Sequence, residues 1–368
     1  MRSIIKIATA VCVLGVGTTV QAASPLYTIT GLGNFGGASA ASGINNLGQV
    51  VGQADVDAGN YHAFLWTQAG GMKDLGVLPG DTSSTAISIN DTGQVVGVSQ
   101  PQGGNPPRGF MWQAEIGMSD IAGTSGLYTQ PIVITNSGQI AGYASPDGFL
   151  QSNFGFTYSS QGGISPVSLS GVTTYGVEAL NDSGEMVVDA PQSATSLFVA
   201  SGQNPVEIAG GGLTEATASA MNASGTVVGS ASSNLGGNSH AFVWSQSTGL
   251  LDITPIPGGD AFAQAVNGNG DVVGFEILGP GESESFLYRD GTTYDLTSLL
   301  GNSAAGWSAL APEGINDSGQ IVGSGFFNGQ VEAFIMSPAA SATAFVPEPA
   351  SLALLALGAA ALLLRRRR

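Results

Sequence analysis

Hydrophobic and polar positions follow one pattern that occurs seven times along the chain. Each copy has an apolar residue, Asn or Thr, two small or polar residues, Gly, and a short β-branched run, as in I-N-N-L-G-Q-V-V-G at residues 44–52. The glycines of the seven copies are spaced by 45, 45, 46, 41, 45 and 49 residues and are Gly48, Gly93, Gly138, Gly184, Gly225, Gly270 and Gly319. A period of this length is typical of repeat architectures.

Each copy predicts four short strands. Asn-x-x-Gly between two apolar runs predicts a hairpin, because Asn tolerates a positive φ and Gly adopts it without a Cβ clash. An aromatic third strand follows, with a phenylalanine in every copy: Phe64, Phe110, Phe156, Phe198, Phe242, Phe286 and Phe334. A further turn and a fourth strand such as M-K-D-L-G complete the unit. Four strands in about 45 residues is the size of one propeller blade.

The two ends of the repeat array predict a closed ring. The seventh copy stops after its aromatic strand, whereas Y-T-I-T-G-L-G at residues 27–33 precedes the first hairpin. Pairing this segment with the last blade removes the exposed edges that an open array would leave. We therefore predict an all-β, seven-bladed β-propeller over residues 23–338. A β-solenoid or a split sandwich is the alternative, but a solenoid needs polar end caps, and the sequence does not show them.

The N-terminus has the pattern of a secretory signal peptide. Residues 1–22 carry Arg2 and Lys6, an apolar stretch, and V-Q-A as a small-residue cleavage site ending at Ala22. The single cysteine, Cys12, lies within this segment. The mature chain is therefore expected to contain no disulfide.

The C-terminus has three consecutive parts after a linker at residues 339–345. They are Val346, Pro347, Glu348 and Pro349, an apolar run at residues 350–364, and the cluster Arg365, Arg366, Arg367 and Arg368. A permanent tail anchor is one interpretation, but fifteen apolar residues are short for a spanning helix, which needs about 20.

The three parts together resemble the PEP-CTERM sorting signal of exopolysaccharide-producing Gram-negative bacteria. The resemblance implies transient tethering in the inner membrane through the apolar helix, recognition by an exosortase, and removal of the tail near residues 347–349. It also implies that the protein is secreted to the cell surface or the extracellular matrix.

The repeats resemble a second family. H-A-F-L-W at residues 62–66, followed by G-G-M-K-D-L-G-V-L-P-G and I-N-D-T-G-Q-V-V-G, is similar to the HAF-type probable extracellular repeats. The similarity covers residues 24–338 and is close in the first, fifth and seventh copies. It is loose in the third and fourth copies, where the His is replaced, and in the fourth copy Val188 also replaces the glycine found at Gly52. It implies a surface or secreted protein and no particular reaction.

Most repeated residues are expected to be structural. Seven phenylalanines at one position predict seven inward-packed rings, and His62 and His240 have no partners in the pattern that would make a catalytic or zinc site. The fourth strands carry an acid, which either lines one face or channel or bonds a neighbouring blade's turn: Asp74, Asp120, Glu207, Asp252 and Asp295. We expect no catalytic residue, metal or cofactor, although the Asn-Asp turns leave Ca²⁺ open as an alternative.

Charge restricts the partners. Loss of the signal and the tail would leave Lys73, Arg108 and Arg289 against 25 of the 26 acidic residues, a formal charge near −22 that disfavours nucleic acid. We therefore predict a non-enzymatic surface or matrix propeller that binds extracellular matrix or cell-surface components. The alternative is a glycoside hydrolase or lyase acting on extracellular polysaccharide, with its carboxylates among five non-repeated acids: Asp147, Glu178, Glu215, Glu276 and Glu313.

Overall fold

Seven four-stranded antiparallel sheets form the blades of a closed ring. The structure is a computed structural model and describes residues 27–57, 59–103, 105–123, 125–148, 153–169, 174–189, 197–201, 204–208, 214–232 and 237–339. The prediction of an all-β, seven-bladed propeller is confirmed. The signal peptide with Ala22, residues 340–345 of the linker, and the sorting signal at residues 346–368 lie outside the described residues.

The strands follow the repeat pattern, four to each blade. The first strand of the chain is β1 (Tyr27–Gly31). Blade 1 contains β2 (Ser39–Ile44), β3 (Val50–Asp57), β4 (Asn60–Thr67) and β5 (Gly71–Gly76). Blade 2 contains β6 (Asp81–Ile89), β7 (Val95–Pro101), β8 (Arg108–Gln113) and β9 (Gly117–Asp120). Blade 3 contains β10 (Tyr128–Ile134), β11 (Ile140–Ser145), β12 (Phe154–Ser159) and β13 (Gly163–Pro166).

The remaining blades have the same order. Blade 4 contains β14 (Gly176–Leu180), β15 (Met186–Asp189), β16 (Leu197–Ser201) and β17 (Asn204–Glu207). Blade 5 contains β18 (Thr214–Met221), β19 (Val227–Ser232), β20 (Ser239–Ser245) and β21 (Gly249–Asp252). Blade 6 contains β22 (Asp260–Val266), β23 (Val272–Gly279), β24 (Glu282–Arg289) and β25 (Thr292–Asp295), followed by helix α1 (Leu296–Leu299) and a 3-10 turn (Gly301–Ala304). Blade 7 contains β26 (Trp307–Ile315), β27 (Ile321–Phe327) and β28 (Gln330–Pro338).

Blade 7 is completed by the N-terminal strand, as the sequence predicts. β1 pairs antiparallel with β28, so that Tyr27 lies opposite Pro338 and Gly31 lies opposite Phe334. Tyr27 is buried, and its hydroxyl accepts a hydrogen bond from Arg289 of blade 6 at 3.3 Å. The N-terminal strand therefore closes the last blade and also links it to its neighbour.

The first strand of each blade lines a central channel and contacts the first strand of the next blade, and β26 contacts β2 to complete the ring. Every one of these seven strands has a β-bulge, an extra residue that has no opposite number in the second strand. A bulge re-aims its side chain. The bulged residues all face the channel: Ser42, Ile87, Ile132, Glu178, Ser219, Gln264 and Glu313.

The hydrophobic core consists of seven clusters in the described residues, one between each pair of consecutive blades. Six of the seven predicted phenylalanines are buried in these clusters: Phe64, Phe110, Phe156, Phe242, Phe286 and Phe334. Trp112 and Trp244 are buried beside them, and Trp66 packs against the cluster between blades 7 and 1.

A glycine in the second strand of six blades lies against the backbone of the first strand, and at Gly97 and Gly274 also against the buried ring. Gly97 pairs with Phe110, and a Cβ at Gly97 would lie 2.0 Å from the carbonyl oxygen of Thr85 and 2.9 Å from the Phe110 ring. In blade 4 the corresponding residue is Val188, which is fully buried opposite Phe198. Phe198 is only half-buried. The Phe198 ring still packs against the cluster between blades 3 and 4, so all seven rings contact the core but only six are buried.

Candidate functional site: the central channel

The seven hairpin turns meet at one mouth of the channel. Their glycines all have a positive φ, from 73° at Gly48 to 85° at Gly270. The preceding Asn residues do not, since the described non-glycine residues with positive φ are Asp290, Ala309 and Asn328. The prediction that Asn serves these turns by tolerating a positive φ is therefore wrong.

Each turn asparagine instead fastens its own turn and the next blade. The Oδ1 atom of Asn90 accepts hydrogen bonds from the backbone N–H groups of Thr92 at 3.2 Å and Gln94 at 2.9 Å. Its Nδ2 atom donates to the carbonyl oxygen of Thr135 in blade 3 at 2.9 Å. Asn90 is buried, and a buried amide needs such partners.

The same inter-blade bond occurs at six of the seven joints in the described residues. In each case the side-chain Nδ2 atom of an asparagine donates to the backbone carbonyl oxygen of the next blade's turn residue, at 2.9 to 3.4 Å. The pairs, donor first, are Asn45 and Asn90, Asn90 and Thr135, Asn181 and Asn222, Asn222 and Asn267, Asn267 and Asn316, and Asn316 and Asn45. In blade 3, Thr135 replaces Asn and has no amide to donate. We call these seven positions the asparagine ring.

The residue that follows the turn asparagine or threonine is also polar in five blades: Asn46, Asp91, Asn136, Asp182 and Asp317. The amide of Asn136 donates to Asp91 at 3.2 Å and to Asp182 at 3.0 Å, and the amide of Asn46 donates to Asp317 at 3.0 Å. These aspartates therefore serve as acceptors for neighbouring turns. In the part of the chain that the structure describes, no three His, Cys, Asp or Glu side chains are arranged to hold a metal ion. Calcium binding stays a prediction.

Below this mouth, apolar residues from all seven blades narrow the channel: Ile44, Ile89, Ile134, Leu180, Met221, Val266 and Ile315. They separate the mouth cavity, of about 230 Å³, from an inner cavity of about 290 Å³. The inner cavity is lined by the seven bulged residues. The channel thus consists of a polar mouth, an apolar belt and an inner cavity.

The inner cavity contains two of the five non-repeated acids. Glu178 of blade 4 and Glu313 of blade 7 occupy the same bulged position of their blades. The hydroxyl of Tyr143 donates a hydrogen bond to Glu178. Glu276 lies elsewhere, near the outer strands of blade 6. Aligning the copies on their turn glycines would have paired Glu178 with Glu313, because each lies six residues before its glycine.

The channel raises the pKa of both carboxyl groups. Burial is the main cause at Glu178, the hydrogen bond from Tyr143 opposes it, and the charge of Asp189 adds to it. Burial also raises the pKa of the Tyr143 hydroxyl, with a further contribution from Glu178. Glu313 projects into the channel, and the protein around it raises its pKa to about 7.

The pKa of Glu313 predicts a pH-dependent stability. Because this pKa lies above its ordinary value of 4.5, the folded protein holds the proton more tightly than the unfolded chain. The contribution of Glu313 to stability is therefore complete below pH 4.5 and is lost as the pH rises through 7. We expect Glu313→Gln to gain stability relative to the parent between pH 5 and pH 8, by less than about 1 kcal/mol because water in the channel screens the charge.

Thermal unfolding at several pH values measures this difference, with exposed Glu282→Gln as the matched control. Parallel pH profiles for the parent protein and the Glu313→Gln variant would contradict the prediction.

The acids of the fourth strands bond within their own blades. The Nδ1 atom of His62 lies 2.9 Å from Asp74, and that of His240 lies 2.9 Å from Asp252. Asp295 accepts hydrogen bonds from the first N–H groups of α1. At Asp74 and Asp252 these contacts argue against a bond to a neighbouring blade's turn. That the acids line one face of the propeller stays a prediction.

The three basic residues that processing would leave are also engaged. Arg108 lies 2.8 Å from Asp81 and 3.6 Å from Asp120, and Arg289 lies 2.7 Å from Asp271. The Nζ atom of Lys73 lies 4.8 Å from the centre of the Trp112 ring. The basic side chains of the described residues thus have partners within the protein, which leaves most of the acidic surface uncompensated.

Comparison with known proteins supports the sorting signal. Residues 345–368 match the family model for the PEP-CTERM protein-sorting motif, as the sequence predicts. This motif indicates a secreted protein directed to the cell surface and processed by an exosortase. Among the described residues, no helix is long and apolar enough to span a membrane. The resemblance to HAF repeats stays a prediction, and no curated protein matches the chain.

Solved structures show the fold only. The chain is similar to an oligogalacturonate lyase in complex with manganese, with a TM-score of 0.58, 11% identity, and coverage of 87% of this chain and 95% of that one. It is also similar to a structure from an analysis of two prolyl endopeptidases, with a TM-score of 0.53, 12% identity, and coverage of 84% and 51%. At these identities the similarity extends to the propeller architecture and not to activity.

Proposed function

We propose that this protein is a non-enzymatic interaction propeller of the cell surface or extracellular matrix. The observation that carries the proposal is the use of the repeated polar groups within the structure itself. The asparagine ring joins the blades, and the aspartates beside it accept hydrogen bonds from adjacent turns. His62 and His240 pair with acids of their own blades. A repeated set of catalytic groups is therefore not required to explain the pattern.

The sorting motif supports the location that this role requires. It indicates export, and the apolar segment at residues 350–364 would hold the chain transiently in the inner membrane before the tail is removed. Recognition would then be carried by loops that differ between blades, including residues 101–107 and 230–239. The negative surface favours neutral glycans, cations and other proteins over nucleic acid.

A second function is favoured by Glu178, Glu313 and Tyr143 in the inner cavity. Hydrolysis of a glycosidic bond uses one protonated and one ionised carboxyl group around the scissile bond. However, the carboxyl group of Glu178 already accepts a hydrogen bond from Tyr143, so it is engaged within the protein. The inner cavity of about 290 Å³ is also at the lower limit of ordinary ligand sites, which measure about 300–1,000 Å³. The channel therefore supports polysaccharide cleavage less well than the surface supports binding.

The two functions are separated by incubating the processed protein with the host's exopolysaccharide and with neutral and acidic glycans. We expect pull-down of surface or matrix material without new reducing ends, and the same result for Glu178→Gln and Glu313→Gln. Glu282→Gln is the control for a change of charge at the surface. New reducing ends that disappear in Glu178→Gln or Glu313→Gln would replace the interaction role with an enzymatic one.

A further inference from the structure

Blade 6 contains a cavity beside its second, third and fourth strands. It has a volume of about 140 Å³ and lies outside the central channel. Its walls include three acids and three apolar side chains, which are Glu276, Glu284, Asp295, Pro255, Ile256 and Phe286. We call this cavity the blade 6 acidic pocket.

Glu276 forms the buried part of this pocket. It is 0% exposed, and in the described structure neither of its carboxylate oxygens has a hydrogen-bond partner. Burial raises its pKa, the charge of Glu284 adds to this effect, and the nearby N–H of Ile256 opposes it. A buried carboxylate without a partner is strongly unfavourable unless it takes up a proton or a positive group compensates for its charge.

The repeat shows that an acid is not needed at this position for folding. Glu276 lies in the second strand of its blade, and the corresponding residues of the other described blades are small: Ala54, Ser99, Ala144, Ala231 and Gly325. Ala54, Ala144 and Ala231 are each at most 2% exposed, so the position is a packed one. Packing alone therefore does not account for the glutamate.

A second replacement adds another negative charge directly opposite Glu276. Its cross-strand partner is Glu284, which stands where blades 1 and 5 have His62 and His240. In those two blades the histidine pairs with the fourth-strand acid at 2.9 Å. In blade 6, Glu284 replaces the histidine, and the fourth strand still carries an acid, Asp295. Like charges directly opposite each other destabilise a sheet.

A cation from outside the chain would remove this conflict. The basic side chains of the described residues are already engaged elsewhere, as shown above. The three carboxyl groups of the pocket do not form a metal-binding group, which disfavours direct coordination of a metal. A primary ammonium has three donors that need no fixed coordination geometry. The stem that carries it can lie along Pro255 and Ile256, and Ile256 is 40% exposed.

We infer that the blade 6 acidic pocket binds a primary ammonium group on an aliphatic stem, which is the chemistry of a lysine side chain of a partner polypeptide. Glu276 and Glu284 receive the ammonium, Asp295 contributes its charge at the rim, and Pro255 and Ile256 contact the stem. This inference rests on the interaction role proposed above. The pocket lies outside the channel. Cleavage of glycans, measured as new reducing ends, and binding of an ammonium group in blade 6 can therefore succeed or fail independently.

The test is calorimetric titration of the processed protein with Nα-acetyl-lysine methylamide. We expect saturable binding that weakens with added salt, and no binding of the Nε-acetylated form, which lacks the charge. Glu276→Ala, the residue found at Ala54, is expected to weaken binding at least tenfold. Glu284→His is expected to do the same, because the new histidine would pair with Asp295 as His62 pairs with Asp74.

Asp252→Asn in blade 5 is the matched control and should leave the affinity unchanged, and thermal unfolding shows that each variant is folded. Glu276→Gln, which keeps the shape of the side chain, separates the loss of charge from a change in packing. Equal affinities of the parent protein and Glu276→Ala would overturn the inference. Tighter binding of the arginine analogue, galactosamine, Ca²⁺ or Mn²⁺ than of the lysine analogue would assign the pocket to that ligand and would also overturn it.

Discussion

Deleting residues 27–33 is expected to lower the thermal midpoint of unfolding by on the order of 10 °C. The deletion removes Tyr27 and Leu32, which are buried, and truncation of one such side chain costs about 2–5 kcal/mol. It also exposes the edge of β28 and removes the contact between Tyr27 and Arg289 of blade 6. The whole ring is expected to lose stability, because blade 7 packs against both blade 6 and blade 1.

A rearranged chain provides the control for this deletion. Tyr27 lies opposite Pro338, so a short turn placed after residue 338 could lead directly into a transplanted copy of residues 27–33. Apart from the residues of the added turn, the rearranged protein has the same composition as the parent, and it should recover most of the lost stability. Calorimetry of the parent, the deletion variant and the rearranged chain measures the effect. Equal midpoints for the parent and the deletion variant would show that ring closure contributes nothing.

Phe110→Ala is expected to destabilise the protein by about 3–5 kcal/mol, the cost of truncating a fully buried aromatic ring. The ring is 0% exposed in the cluster between blades 1 and 2, where close packing leaves little room for collapse around a cavity. Phe198→Ala is the internal comparison, because Phe198 occupies the same position of blade 4 and is only half-buried. Its cost should be clearly smaller.

Denaturant unfolding of the two phenylalanine variants measures the difference. Equal losses for Phe110→Ala and Phe198→Ala would contradict the prediction that the cost follows the burial of the ring.

The architecture was predictable because each repeat contains its own local signals. The Asn-x-x-Gly hairpin and the aromatic strand each lie within about 20 residues, and their number gives the number of blades. The closing strand was predictable because the seventh copy lacks a fourth strand and an extra strand-like segment, residues 27–33, precedes the first copy. Local pattern and final fold agree throughout these elements, which is typical of sequences that fold to one structure.

The hydrogen bond that the turn asparagine makes to the next blade was not predictable from local turn chemistry. The acceptor of the Asn90 amide is a backbone carbonyl 45 residues further along the chain, and turn propensities contain no information on such a contact. The pairing of His62 with Asp74 did leave a signal. His62, Arg108 and His240 each precede an acid by twelve residues, at Asp74, Asp120 and Asp252. This constant separation places the two residues on adjacent strands.

Glu178 and Glu313 illustrate a different limit. Their common repeat position was visible in the sequence, but the bulge that turns this position into the channel was not. Their raised pKa values depend on how the seven blades surround the channel, which is a property of the assembled ring. The proximity of the blade 6 acids was also not predictable from the sequence, because it depends on the strand register that places Glu276 opposite Glu284.

The asparagine ring has a consequence for the evolution of the repeat. Six of the seven joints in the described residues use a side chain on one blade and only a backbone carbonyl on the next. Such a joint has a direction and does not depend on the identity of the accepting residue. Thr135 shows this, because it lacks the amide and yet accepts the bond from Asn90 at 2.9 Å. A duplicated blade would carry its own turn asparagine, and the adjacent blade would need no compensating substitution to accept the hydrogen bond. Copying a stretch of about 45 residues therefore extends the chain by a unit that is already able to join the ring.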